Sequence, residues 1–144
     1  MFKNQRGGAA VEFAIVLFPL ALILFGTIDF GLLFYNKQVI TNASREGARA
    51  AIVAIYWNDT NDDGTPDTLT TIPVDIMEAY YSGRLINLGG EDDPPTSTIA
   101  PITNDPDEDF ITATVTYKYN HLFSGITRFN ETTLTGKTVM RKEW

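Results

Sequence analysis

From Phe13 to Tyr35 the chain carries a single formal charge, Asp29, in a run dominated by Phe, Leu, Ile, Val and Ala. Wound as an α-helix at about 1.5 Å per residue, that run covers about 34 Å, enough to cross the hydrocarbon of a bilayer. The rest of the fold must be built around a membrane-spanning element. A secretory signal peptide has an apolar region of only about 7 to 15 residues and ends at a small-residue cleavage site. Here the run passes straight into Asn36-Lys37-Gln38, as an uncleaved anchor does. Lys3 and Arg6 precede it with no acid beside them, which holds the N-terminus in the cytoplasm and sends the C-terminal part across.

Charge divides the chain in the same way. Residues 1–57 carry a net +2 and the remaining residues a net −9, together the formal −7 of the whole. So acidic a domain is a poor fit to nucleic acid. There is no cysteine, hence no disulfide to staple a small exported domain.

Helical periodicity continues beyond the apolar run. Val39, Ile40, Ala43, Gly47, Ala50, Ala51, Ala54 and Ile55 recur at spacings of three and four with no proline before Trp57. One helix over about 8–57 is expected, membrane-spanning in about 13–35, with a stripe of Ala and Gly that lets another helix or a sheet approach closely. Pro19 removes one backbone donor and is expected to kink or locally melt it. Glu46 and Arg49 form an i,i+3 pair, which by itself is an ordinary solvated helix face.

Arg6-Gly7-Gly8-Ala9-Ala10-Val11-Glu12-Phe13, Pro19, Gly26-Thr27-Ile28-Asp29-Phe30-Gly31, Tyr35 and Asn42-Ala43-Ser44-Arg45-Glu46-Gly47-Ala48-Arg49 follow one another in an order that closely resembles the TadE-like family. Asp29 stands where that family usually shows Glu, which keeps the carboxylate. The resemblance covers residues 6 to about 51, with a faint echo at Met140-Arg141-Lys142-Glu143. It implies a pilin-like or pseudopilin-like subunit of the Flp (Tad) pilus machinery, placed in the inner membrane or in an extracellular pilus. A prepilin peptidase would cut between Gly7 and Gly8, leaving residues 1–7 as a cytoplasmic leader, with Glu12 and Phe13 completing the processing motif. Glycine lets the backbone enter a protease cleft extended, and the cut creates an ammonium on Gly8. Glu12 would pair with such an ammonium, on a neighbouring pilin-like subunit or another copy of this chain, because a carboxylate in lipid is costly without a partner. Alternatively Glu12 snorkels to water at the membrane edge. Asp29 falls near the outer edge of the hydrocarbon, either among headgroups or as a charge partner for Arg or Lys of an adjacent subunit. An assembly role for Arg45, Glu46 and Arg49 rests on their place in the family motif.

After Trp57, Asp59, Asn61, Asp63, Thr65 and Asp67 occupy alternate positions, with Gly64 following the third. Oxygen donors in that order can wrap a calcium ion, Thr65 through its carbonyl, while glycine permits the turn. Position twelve is Thr70, not the Glu of an EF-hand, so a last ligand would come from Asp75 or from Glu91-Asp92-Asp93. An acidic linker without metal uses the same residue types.

The remainder reads as a small α+β unit in residues 58–144. Pro73 suits the first turn of a helix with Val74, Ile76, Met77, Tyr80 and Tyr81 as its apolar side, ending by Gly83. Ile111, Ala113, Val115, Tyr117 and Tyr119 alternate with Thr and Lys as a half-buried strand, with Thr133 to Arg141 as its partner. Thr98 to Ile102 contains Pro101 and belongs at an edge. The expected fold is α+β and pilin-like: a long N-terminal transmembrane helix extending into an extracytoplasmic domain with a short helix and about three antiparallel strands.

Catalysis finds no motif here. A thiol is absent, there is no Gly-x-Ser-x-Gly, and the one histidine, His121, reads as a turn residue. Two readings remain, neither an enzyme. One is a minor pilin or pseudopilin, the main repeating filament subunit differing from it only in abundance; the other is an uncleaved single-span surface module with a calcium-stabilised domain for binding or adhesion.

Overall fold

The computed structural model describes residues 6–58, 72–89, 93–102, 110–122 and 131–141. Helix α1 (Arg6–Asn58) runs unbroken for 53 residues. Pro19 does not melt it. A single proline removes one hydrogen bond, and the turns on either side keep the rest of the ladder closed. Helix α2 (Ile72–Tyr81) follows, then strands β1 (Thr96–Ile102), β2 (Phe110–Asn120) and β3 (Glu131–Arg141). The strands form one antiparallel sheet in the order β1-β2-β3, so Pro101 does lie on an edge strand. The α+β architecture expected from the sequence is the one observed.

Alternation decides which face of the sheet meets α1. Ile111, Ala113, Val115, Tyr117 and Tyr119 of β2 are buried. Across the ladder they stand beside Met140, Thr138, Gly136, Leu134 and Thr132 of β3. The opposite face is rich in threonine, with Thr96, Thr116 and Thr135 side by side in register. Threonine suits this place because a β-branched side chain packs well on a pleated surface.

The inner face lies on the C-terminal half of α1. Val39, Ile40, Ala43, Ala48, Met77, Val115, Tyr117 and Leu134 form one buried cluster. At Ala43, Gly47 and Ala51 the Ala and Gly stripe is thus covered by the chain's own elements. At Gly47 an added Cβ would stand 2.3 Å from the Met77 side chain, so glycine admits α2. At Gly136 it would stand 2.5 Å from the Ile40 carbonyl oxygen, so the sheet backbone nearly touches the helix backbone. Ser44 Oγ and Thr138 Oγ1 share a hydrogen bond of 2.8 Å, and Lys37 Nζ donates to the Thr135 carbonyl.

The N-terminal half of α1 is largely exposed. Every large apolar side chain from Val11 to Ile28 is exposed. By length and composition α1 contains a helix able to cross a membrane, within Gly7–Ala54.

Candidate functional site

Where the exposed and packed halves of α1 meet, a carboxylate is buried. Counting back from Ile40 by the spacings of a helix face gives Asn36, Leu33 or Leu32, and then Asp29. The same face that buries Ile40 therefore buries Asp29, which is only 8% exposed. Period-two alternation in β2 likewise runs past Tyr119 to His121, which stands on the inner side of the sheet. The two patterns converge at the lower end of the domain.

Asp29 Oδ1 accepts hydrogen bonds from the Tyr119 hydroxyl at 2.8 Å and from the Leu122 backbone N–H at 3.1 Å. Its Oδ2 lies 2.7 Å from His121 Nδ1. The other imidazole nitrogen, Nε2, is 2.8 Å from Thr132 Oγ1, and Thr132 is the register partner of Tyr119. The Tyr119 and His121 rings meet edge to face, with centroids 5.3 Å apart. With neutral imidazole, Nδ1–H donates to Asp29 and Nε2 accepts from Thr132; with imidazolium, both nitrogens donate. Either way a helix residue is tied to both central and edge strands. Burial, reinforced by the Asp29 carboxylate, holds the Tyr119 phenol well above its usual pKa, so it remains a donor through the physiological range.

Two turns above, Asn36 makes the second tie. Its Nδ2 donates to the Ile86 carbonyl at 2.7 Å and its Oδ1 accepts from the Ile86 N–H at 3.0 Å. The side-chain amide thereby completes both backbone groups of a residue in an irregular segment, while itself fully buried. Gly89, in the same segment, is pressed against the His121 and Asn120 carbonyls; an added Cβ would lie 2.2 Å from the former oxygen.

Asp–His–Thr connectivity also occurs in hydrolases, where the imidazole activates a hydroxyl. Here the links join structural elements. The cleft lined by Glu78, Tyr81, Asp93 and Tyr117 does not reach His121 or Thr132, and neither does the groove lined by Ala50, Val53 and Ile76.

The other residues singled out by sequence lie apart from this cluster. Gly7, Gly8, Glu12 and Phe13 are exposed on the N-terminal half of α1, and an added Cβ at either glycine would meet nothing within 4 Å. Arg45, Glu46 and Arg49 are exposed on the packed half, with Arg49 and Glu46 3.9 Å apart. Asp59, Asn61, Asp63, Thr65 and Asp67 lie outside the described residues, as do Glu91 and Asp92. Of the further ligands considered, Asp75 is exposed on α2 and Asp93 pairs with Lys118 at 3.4 Å. Among the described residues no group of three His, Cys, Asp or Glu side chains could hold a metal.

Residues 7–49 match the family model described as TadE-like protein. The N-terminal third of this chain is TadE-like. That family marks a structural component associated with the Flp (Tad) pilus. The TadE-like segment spans both halves of α1 and includes Glu12, Asp29, Asn36, Arg45, Glu46 and Arg49, but ends before α2 and the sheet. The partners of Asp29 therefore all lie beyond it. No curated protein and no solved structure matches the chain.

Proposed function

We propose that the chain is a minor pilin or pseudopilin of a Flp (Tad)-type pilus, held in the inner membrane by the N-terminal half of α1 with its domain outside. The observation that carries this reading is the TadE-like match over a helix whose first half is apolar and exposed. Such a half-helix needs lipid, other helices, or both in succession. Glu12 makes no ion pair or hydrogen bond among the described residues, so a partner from outside the chain suits it. In this proposal a prepilin peptidase cuts after Gly7, and the new Gly8 ammonium of one subunit meets Glu12 of another. The role of Asp29 is internal: it fixes the domain to its own anchor, so that pulling on the helix moves the domain as one body.

Intact mass of the protein from its native membrane or filament fraction tests the processing. A chain beginning at Gly8 is expected. One still beginning at Met1 in a host with active prepilin peptidase would contradict it and favour an uncleaved surface module. Calcium binding by 59–67 is proposed separately: full-length protein in detergent should melt higher with calcium than with chelator, and Asp63→Ala should remove the difference. Equal curves would end that proposal.

A further inference from the structure

The exposed apolar surface of α1 does not stop where the domain begins. Phe30, Phe34 and Tyr35 remain exposed on the side of the helix away from the sheet. At a similar height lies the segment after α2, in which Ile86 is 40% and Leu88 50% exposed. Its height is fixed by two contacts: Asn36 holds Ile86, and Gly89 sits against the His121 carbonyl, whose side chain holds Asp29. Leu88 therefore lies between the levels of Asn36 and Asp29, a rise of about 10 Å along the helix.

The foot itself is almost free of formal charge. In 28–36 and in 85–89 the only formal charge is Asp29, and it is buried. The charges that flank these segments in sequence are the cations Lys37 and Arg84 and, after Gly89, the acids Glu91, Asp92 and Asp93. Arg84 stacks on the Tyr80 ring at 4.6 Å, and Lys37 reaches the Thr135 carbonyl. At the same end of the sheet Glu131 and Asp93 both pair with Lys118 of the outer face, at 3.7 and 3.4 Å. Aromatic side chains at the level where a helix leaves the hydrocarbon match the aromatic belt found at both faces of a bilayer.

The ladder itself limits how deep this surface can sit. Irregular backbone such as 84–89 is not tolerated in the hydrocarbon where lipid can reach it. Residues 8–28, as helix, cover about 30 Å, the full hydrocarbon thickness. We infer that the hydrocarbon ends close to Ile28, and that Phe30, Phe34, Tyr35, Ile86 and Leu88 form a foot by which the domain rests in the lipid headgroup layer. The span shifts accordingly to about 8–28, toward the N-terminus of the 13–35 expected from hydropathy. This inference rests on the membrane-spanning reading of α1.

The absence of cysteine makes the test direct. Nitroxide-labelled Leu88→Cys, Phe34→Cys, Leu22→Cys and Val139→Cys proteins are placed one copy per lipid nanodisc. Accessibility to oxygen is then compared with accessibility to a water-soluble nickel chelate. Labels at Leu88 and Phe34 should be several-fold more shielded from nickel than one at Val139, an outer-sheet position, and should approach Leu22. Leu88 and Phe34 as wet as Val139, with Leu22 immersed, would overturn the foot alone. Leu22 as wet as Val139 would overturn the spanning reading as well. Shielding of Leu88 only when several copies share a disc would assign the surface to a second copy and overturn the lipid contact.

Discussion

The two halves of α1 have the same backbone and different solvents. In residues 7–28 large apolar side chains point in every direction and none is covered. In residues 29–51 one helix face is buried at Asp29 and, two turns on, at Asn36, Ile40, Ala43, Gly47 and Ala51, with Leu32 and Leu33 half-buried between. The first half has the composition of a segment that relies on lipid or neighbouring helices, the second that of a core element of a small domain. Helical continuity therefore carries no information about where the membrane stops. That boundary is marked by polar groups: below Asp29 a polar side chain would have to face lipid, and from Asp29 upward the sheet and the 84–89 segment supply partners.

The sharpest way to break this contrast is to remove the carboxylate. Asp29→Ala leaves the Tyr119 hydroxyl, the Leu122 N–H and His121 without their acceptor in a buried place, and should cost about 3 kcal/mol or more. Leu22→Ala, on the uncovered half, should change domain stability by less than about 0.5 kcal/mol. Thermal unfolding of the full chain in detergent, followed by near-ultraviolet circular dichroism, compares them. Similar losses would mean that the two halves are not distinct.

Glycine substitutions sharpen the same comparison. Gly136→Ala puts a methyl group against the Ile40 carbonyl, a backbone atom that cannot swing aside, and should cost about 1–3 kcal/mol. Gly47→Ala meets the Met77 side chain, which can rotate, and should cost less. Gly26→Ala, with nothing within 4 Å, should be neutral or stabilising by up to about 1 kcal/mol through helix propensity. The order of the three melting temperatures is the measurement.

A smaller effect concerns pH. Folding raises the Tyr119 pKa above the unfolded value of about 10, so its contribution is complete below about pH 10 and declines as pH rises toward the folded value. Tyr119→Phe should therefore be less stable than the parent at pH 7, with the gap narrowing above about pH 10. A gap independent of pH would show that the phenol proton is not what links Tyr119 to Asp29. The smallest effect belongs to the exposed Glu46–Arg49 pair: Arg49→Ala should cost no more than a few tenths of a kcal/mol in stability. A larger loss would place that pair in the fold and leave less reason to look for its role between subunits.

Local patterns in the sequence carried most of the architecture. The long helix, the short helix opened by Pro73 and the alternating strand from Ile111 to Tyr119 are each written in spacing, and each forms where its spacing says. Residues joined only by tertiary structure were less legible. Asp29 and His121 are 92 positions apart, and in isolation one reads as an acid arriving at headgroups and the other as a turn residue. Extending each pattern beyond its apolar members would have placed both on inward faces, Asp29 by helical steps from Ile40 and His121 by alternation from Tyr119. Asn36 was hidden for the same reason, since its partner is a backbone 50 positions away. The Ala and Gly stripe signalled close approach correctly but not what approaches. The structure fills it with the chain's own sheet and α2.

That the domain is locked onto its anchor through Asp29 is tested most directly by a double-mutant cycle. Stability is measured for the parent, Asp29→Ala, His121→Ala and the double variant, all full length in the same detergent. Coupling between the two sites of at least about 1 kcal/mol is expected, because each side chain is the other's buried partner. Losses that simply add would mean that Asp29 and His121 do not act on one another, and the lock between helix and sheet would have to lie elsewhere.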